Sequence, residues 1–299
     1  SGAELKINNS EEIGSLSGSG TVRVNANQTL TVGNVVTSTF AGNMTGAGGL
    51  TVSQTTGNTN TLTLSGNNTG LGAQVRVINY GRLIVDGENA IGDNTPVTVN
   101  SNGILTLLSN QTIGSLASNL ANASIQLGSF TLTTGGNDTN TSVFGVISGT
   151  GSLVKQGSGT LTLVSGGNNY SGGTTLSNGV LSVQNGGTLG SGTLTFNGGT
   201  LDISTTTPLT FANTVNMTSA GTINFIEDAE ATFSGAFSGT GDLTITGVVN
   251  GQREILTLSN TNNSAWTGNM IATHATFQVA SDSMLSSGLI TLNNGSVLL

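Results

Sequence analysis

The chain has 299 residues, of which 46 are glycine, 2 are proline and none is cysteine, and only 7% of them are charged. Disordered segments are usually rich in charge and poor in apolar residues, so this charge-poor composition with 35% hydrophobic residues argues against disorder. The formal net charge of −8 and the six scattered basic residues argue against a nucleic-acid interface, which needs clustered lysine and arginine.

Short segments in which apolar and polar residues alternate occur along the whole chain. In chain order they include 21–24 (TVRV), 61–64 (TLTL), 74–77 (QVRV), 96–99 (PVTV), 160–163 (TLTL), 193–196 (TLTF) and 243–246 (LTIT). Alternation with period two predicts β-strands with one buried face. The Gly, Asn and Ser clusters between these segments are typical of tight corners. No segment sustains a helical period, so the sequence predicts an all-β fold.

Long segments of the chain resemble one another at intervals close to one hundred residues. The first set is 42–50 (GNMTGAGGL), 145–153 (GVISGTGSL) and 235–243 (GAFSGTGDL), and the second is 61–68 (TLTLSGNN), 160–169 (TLTLVSGGNN) and 255–263 (ILTLSNTNN). No linker composition separates the copies. We therefore expect a single continuous domain over 1–299, made of three repeat units at approximately 1–100, 101–200 and 201–299.

A β-sandwich or a barrel would also place short strands at roughly ten-residue intervals. A sandwich has no reason to repeat at such long intervals without linkers, and it usually has a larger aromatic core than the 4% of aromatic residues found here. A solenoid explains both features, because each coil contacts only its neighbours and stacks its aliphatic residues on theirs. The sequence therefore predicts a parallel β-helix of roughly 13 coils, each of about 20–25 residues.

The middle copy carries a specific signature at 157–163 (GSGTLTL), 168–176 (NNYSGGTTL) and 178–183 (NGVLSV). It resembles the passenger-associated transport repeat of autotransporters, the type V secretion proteins. In this sequence the motif residues with an expected structural role are Gly159, Leu161, Leu163, Asn169, Tyr170, Gly172, Gly173, Thr174, Gly179, Leu181 and Val183. The third copy has Trp266 where the middle copy has tyrosine, which suggests that this aromatic residue has a packing role.

The resemblance implies a right-handed parallel β-helix that is displayed outside the cell on a bacterial surface. It also implies a longer parent protein with a C-terminal membrane barrel, of which this chain would be a fragment. The chain itself contains no apolar stretch approaching the roughly 18–20 residues of a transmembrane helix.

Candidate catalytic groups are few. His274 is the only histidine, and the densest acidic cluster is Glu227, Asp228 and Glu230. Glu227 and Asp228 are adjacent, so in an extended segment they would point to opposite sides. One histidine and no cysteine give no zinc site from this chain alone, and no phosphate-binding glycine motif occurs. We expect solvated loop acids, a surface or groove histidine, and no catalytic residue, metal or cofactor.

Three functions are compatible with the sequence. The first is a non-enzymatic adhesin or self-association module, or the stalk presenting one, whose partner is a host-cell receptor, a matrix protein, a glycan or another passenger. The second is a polysaccharide-degrading lyase or hydrolase, for which Arg253 would be the one basic residue downstream of Lys155. The third is a structural spacer that assists export. Nucleic acid is not an expected partner.

Overall fold

The computed structural model describes residues 2–33, 35–55, 57–184, 186–226, 228–248, 254–260, 262–279 and 284–299. Within these ranges the chain forms short β-strands and no α-helix, and the paired strands run parallel. The result is a β-solenoid of about 13 turns, which confirms the predicted fold class. Glu227 and Arg253 lie outside the described residues.

The chain divides into two compact units, unit 1 at Ser1–Leu153 and unit 2 at Val154–Leu299. This division rests on contacts in space, whereas the three repeat units rest on sequence similarity. The three-repeat organisation therefore stays a prediction.

Unit 1 contains the first nineteen strands. Their bounds are β1 Glu4–Ile7, β2 Glu11–Ile13, β3 Thr21–Val24, β4 Thr29–Val32, β5 Ser38–Phe40, β6 Asn43–Gly46, β7 Gly49–Ser53, β8 Leu62–Leu64, β9 Gly70–Leu71, β10 Val75–Ile78, β11 Arg82–Val85, β12 Pro96–Val99, β13 Ile104–Leu107, β14 Gln111–Ile113, β15 Ser115–Ala117, β16 Ser124–Gln126, β17 Thr131–Thr134, β18 Thr141–Val143 and β19 Val146–Ser148. Sheet A holds β1, β3, β6 and β9, sheet B holds β2, β4, β7, β10, β12 and β15, and sheet C holds β5, β8, β11, β13, β16 and β19.

Strand β20, Ser152–Lys155, spans the boundary between the units, and the remaining strands belong to unit 2. Their bounds are β21 Thr160–Leu163, β22 Thr174–Leu176, β23 Val180–Gln184, β24 Leu194–Phe196, β25 Thr200–Ser204, β26 Leu209–Phe211, β27 Val215–Met217, β28 Gly221–Ile226, β29 Glu230–Phe233, β30 Phe237–Gly239, β31 Leu243–Thr246, β32 Ile255–Leu258, β33 Met270–Thr273, β34 Thr276–Val279, β35 Ile290–Asn293 and β36 Val297–Leu298. Among these strands of unit 2, β22, β24, β27 and β30 lie in sheet D, β21, β23, β25, β28, β31, β33 and β35 lie in sheet E, and β26, β29, β32, β34 and β36 lie in sheet F.

Several turns of the solenoid pass through three sheets in succession. In unit 2 the chain passes through β27, β28 and β29 in sheets D, E and F, and then through β30, β31 and β32 in the same order. Leu161 pairs with Leu181 in the next coil, and Leu181 pairs with Leu201 in the one after it. Paired positions are therefore 20 residues apart in sequence, which is the length of one coil here. The observed coil length thus agrees with the predicted one.

Aliphatic side chains stack in register along the interior. In sheet C of unit 1 the stacked residues are Leu62, Leu83, Leu105, Ile125 and Ile147, each at most 1% exposed. The stack in sheet E of unit 2 comprises Leu161, Leu181, Leu201, Ile223, Ile245 and Ala272. Burial of each large aliphatic side chain stabilises the fold by roughly 1.5–3 kcal/mol. The period-two alternation places the intervening threonines on the outer face.

The first set of sequence repeats corresponds to a recurring corner. Its central glycines, Gly46, Gly149 and Gly239, have φ angles of 96°, 118° and 99°. A side chain at Gly46 or Gly239 would also place its Cβ within 2.3 Å of a carbonyl oxygen in the preceding coil. Glycine recurs there because the backbone is in the left-handed region and the preceding coil lies too close for a Cβ atom.

Candidate functional site

The transport-repeat motif of the middle copy occupies β21, β22 and β23. Leu161, Leu163, Leu181 and Val183 point inward and are at most 2% exposed. Leu161 pairs with Leu181, and Leu163 with Val183, in adjacent coils of sheet E. These apolar residues of the motif therefore form part of the interior stack.

The motif glycines lie at the corners between these strands. Gly173 and Gly179 have φ angles of 99° and 62°, and a Cβ at either would lie within 2.6 Å of a carbonyl oxygen. Gly159 is buried, and its carbonyl oxygen accepts a hydrogen bond from the amide of Val180. Gly172, by contrast, is exposed.

Tyr170 is completely buried beside β22. Its hydroxyl oxygen lies 2.6 Å from Oγ1 of Thr174, which donates to the carbonyl oxygen of Leu189 at 3.0 Å. Burial raises the pKa of the Tyr170 phenol, and the hydrogen bond with Thr174 lowers it to a smaller extent. The phenol is therefore a neutral group that links one coil to the next.

The asparagine pair before Tyr170 divides into one buried and one exposed residue. Asn168 is 6% exposed, and its Nδ2 donates to the carbonyl oxygens of Ser165 and Thr188, both at 3.0 Å. Asn169, the asparagine named from the motif, is exposed to solvent. The residue that spans the corner is thus Asn168, which the sequence interpretation did not single out.

Each of the other two copies has a buried asparagine in a comparable corner, and there it is the second of the pair. Asn68 accepts a hydrogen bond from the amide of Met44 and donates to the carbonyl oxygen of Ala90. Asn263 accepts from the amide of Phe237 and donates to the carbonyl oxygen of Met284. In all three corners an asparagine side chain satisfies backbone groups where the strand ladder is interrupted.

Trp266 is also completely buried, in the third copy. Its Nε1 donates to the carbonyl oxygen of Gly241 at 3.0 Å, and its ring lies 5.3 Å from that of Phe237. Phe237 contacts Phe233, and Phe233 stacks on Phe211. Trp266 therefore stands at one end of a series of four packed aromatic rings in unit 2.

Lys155 is a buried residue that sequence reasoning treated only as a scattered charge. It is 1% exposed, and its Nζ donates to the carbonyl oxygens of Gln156, Gly157 and Asn178. Three carbonyl oxygens match the three donors of an ammonium group. The alternation in β20 could have predicted that Lys155 is buried, because it follows the buried Leu153 by two residues.

The described candidates for chemistry from the sequence lie at or next to the ends of β29, β33 and β34 in unit 2. His274 is half-buried at a left-handed turn between β33 and β34, with a φ angle of 53°. Asp228 and Glu230 are exposed. Within the described residues no group of three or more His, Cys, Asp or Glu could hold a metal ion. No helix in that part of the chain is long and apolar enough to cross a membrane.

The outer face of sheet E presents ordered rows of polar side chains. In one row Asn224 donates to the carboxylate of Asp202 at 2.9 Å and accepts from Thr246 at 2.7 Å. Asp202 is half-buried, and the resulting desolvation raises its pKa, an effect that the bond from Asn224 partly opposes. This face carries a fixed hydrogen-bonding pattern with one carboxylate among neutral groups.

A shallow groove of about 390 Å³ lies on this face, along a second row of side chains that point outward. Its walls include Val180, Thr200, Thr222 and Thr244, which are register partners in four consecutive strands. Its floor is formed by small corner residues such as Gly221. Hydroxyl and amide groups beside small residues offer hydrogen bonds to a polar ligand without a bulky side chain in its way.

Comparisons with known proteins agree with the resemblance seen in the sequence. Residues 153–183 match the family model of the passenger-associated-transport-repeat. The chain is 31% identical over 160 residues to the adhesin BmaC autotransporter of Brucella suis biovar 1 (strain 1330); the match covers 52% of this chain and 4% of that protein. No solved structure matches the chain. A surface-exposed or secreted location follows from these similarities. These similarities support an autotransporter passenger domain that carries a passenger-associated transport repeat at residues 153–183.

Proposed function

We propose that this chain is a non-enzymatic adhesive region of a bacterial surface protein. The similarity to an autotransporter adhesin over half of the chain carries the proposal. The geometry supports it, because a long solenoid with regular polar rows makes many weak contacts of the same kind. Such contacts strengthen one another when many copies are displayed on one cell.

We place the adhesive surface on sheet E of unit 2, at the groove beside Thr200, Thr222 and Thr244. The partner that fits this surface is a neutral or weakly polar host receptor, matrix protein or glycan that hydrogen-bonds to hydroxyl and amide groups. An anionic partner fits less well, because the chain has a net charge of −8.

The experiment is the binding of labelled, purified chain to cultured host cells, compared between two matched double variants. Thr222→Glu with Thr244→Glu alters the proposed surface on sheet E, whereas Thr232→Glu with Thr257→Glu makes the same change on sheet F of the same unit. We expect saturable binding that the sheet E variant loses and the sheet F variant keeps. Equal binding by both variants would show that the groove is not the adhesive surface. No binding by the wild-type chain would leave only the presenting stalk or export spacer.

A polysaccharide-degrading enzyme is the competing function, and it needs carboxylates that converge on one face. Among the described residues, the pair of sheet E rows beside the groove holds Asp202 as its one carboxylate. Turnover of an acidic polysaccharide that Asp202→Asn abolishes would replace the adhesive proposal with this one.

The repeat motif is proposed to act in folding and export. Tyr170, Thr174 and Trp266 join neighbouring coils by burial and hydrogen bonds, so each coil offers a finished surface on which the next can form. We also propose that the three sequence units at approximately 1–100, 101–200 and 201–299 are diverged copies of one ancestral unit.

A further inference from the structure

Three large apolar side chains of unit 1 are exposed along one corner of the solenoid, where the chain leaves sheet B for sheet C. Tyr80 is 38% exposed, Leu120 46% and Phe144 39%. Tyr80 lies between β10 and β11, and Leu120 between β15 and β16. Phe144 follows β18, which is bridged to the end of sheet B through Ser118 and Val143, and precedes β19. We call these three residues the apolar corner.

Hydrogen bonds between consecutive turns place these residues along one line. The amide of Tyr80 donates to the carbonyl oxygen of Ser101 at 2.9 Å. The amide of Asn119 donates to Oδ1 of Asn100 at 2.6 Å, and the amide of Phe144 to Oγ of Ser118 at 3.0 Å. Successive coils are about 4.8 Å apart, so Tyr80 and Leu120 are separated by about 10 Å along the corner.

The backbone at Tyr80 does not favour a tyrosine. Its φ angle is 63°, in the left-handed region, and the corresponding turn of the next coil has Asn102 with a φ of 61°. Asparagine and glycine adopt this region readily, whereas a bulky residue does so at a cost. The side chain of Tyr80 is also 38% exposed, so its own coil leaves part of the ring uncovered. This points to a partner outside the chain.

The apolar corner is also free of charge. The corner segments 79–81, 100–103, 119–123 and 144–145 contain no Asp, Glu, Lys or Arg, although the whole chain has a net charge of −8. The net charge of −8 opposes the association of two copies, and this corner is a strip where they can approach without bringing like charges together. Its spacing of one or two coils also matches the coil spacing of another solenoid.

We propose that the apolar corner is the contact surface between two copies of this chain, related by a two-fold axis so that each presents the same strip. This inference goes beyond the proposed adhesive function, because it concerns a second copy of the chain and not a host partner. Burial of two aromatic residues and one leucine from each copy removes apolar surface from water, which favours association. Across a two-fold axis, the same residues of both copies pack against each other.

The test is sedimentation velocity of the purified chain over a range of concentrations. The wild-type chain is expected to form dimers, and the triple variant Tyr80→Asn, Leu120→Ser, Phe144→Ser to dimerise at least about tenfold more weakly. The single variant Tyr80→Asn, which installs the residue present at Asn102, is expected to weaken the dimer without loss of fold. Far-ultraviolet circular dichroism checks that each variant remains folded.

Two controls separate this surface from others. Leu108→Ser removes a leucine that is 48% exposed at another corner of unit 1 and is expected to leave dimerisation unchanged. Leu289→Ser removes an exposed leucine of the last coil in unit 2 and reports end-to-end stacking. A monomeric wild-type chain, or a dimer weakened only by Leu289→Ser, would overturn the inference. Host-cell binding measured on the same samples is independent of it, so a monomer that still binds cells would refute the dimer contact alone.

Discussion

The corners around Tyr170 and Trp266, both in unit 2, achieve the same burial with different aromatic residues. Tyr170 directs its hydroxyl to Thr174, whereas Trp266 directs its indole nitrogen to a backbone carbonyl and continues a series of phenylalanine rings. Each corner has a buried asparagine, Asn168 or Asn263. The corner therefore requires a large buried ring whose polar atom has a partner, and the identity of the ring follows from its neighbours.

The largest expected effect comes from removing the ring with more aromatic contacts. Trp266→Ala should lower the free energy of unfolding by about 3–5 kcal/mol, because it opens a cavity beside Phe237. The measurement is equilibrium urea denaturation followed by circular dichroism. Trp266→Phe is the control and should lose less, since it keeps most of the packing. A loss below about 1 kcal/mol for the alanine variant would show that the ring is dispensable.

The next effect separates the two asparagines of the middle copy. Asn168→Ala should destabilise the chain by about 1–3 kcal/mol, because it removes the side-chain donor to the carbonyl oxygens of Ser165 and Thr188. Among the described residues, the Ser165 oxygen then keeps only the bond from the amide of Thr188. Asn169→Ala changes an exposed residue and should stay within about 0.5 kcal/mol of wild type. Urea titrations of both variants measure their free energies of unfolding. The reverse order would mean that the motif position named from the sequence is the structural one.

A smaller effect is expected for the phenol of Tyr170. Tyr170→Phe keeps the ring and removes one hydrogen bond, which should cost about 0.5–1.5 kcal/mol. Tyr80→Phe is the matched control at an exposed tyrosine and should cause almost no change in monomer stability. Thermal denaturation at low protein concentration measures both. Equal losses in the two variants would argue against a role for the buried hydroxyl.

The smallest effect concerns pH and the polar row on sheet E. Because burial raises the folded-state pKa of Asp202, its protonated form favours the folded chain. Its stabilising contribution is therefore present below the ordinary Asp pKa and is lost as pH rises through the raised value. Asp202→Asn should remove this dependence, so wild type should lose stability relative to the variant as pH rises from the acidic range. Urea titrations at several pH values test it, and parallel curves would contradict the assigned direction.

Much of the architecture could be predicted from the sequence because its signals are local or periodic. Alternation with period two located strands such as β3, β12 and β31, and similarity at fixed intervals indicated a solenoid. The inward positions of Leu161 and Leu181 follow from the same alternation. These features depend on residues a few positions apart, or on the same pattern repeated.

Three features were decided only by the tertiary structure: the buried asparagine of each pair, the carbonyl cage around Lys155 and the exposed apolar corner. Asn168 is buried as the first of its pair, whereas Asn68 and Asn263 are the second of theirs. Each of the three features depends on which residue lies one coil away. Because the coils differ in length, that residue cannot be identified from sequence spacing alone. The sequence by itself determined that this chain stacks parallel coils around an aliphatic interior, because alternation and repetition suffice for that. Which side chains complete a corner, and which remain available to a partner, was decided by the register between coils.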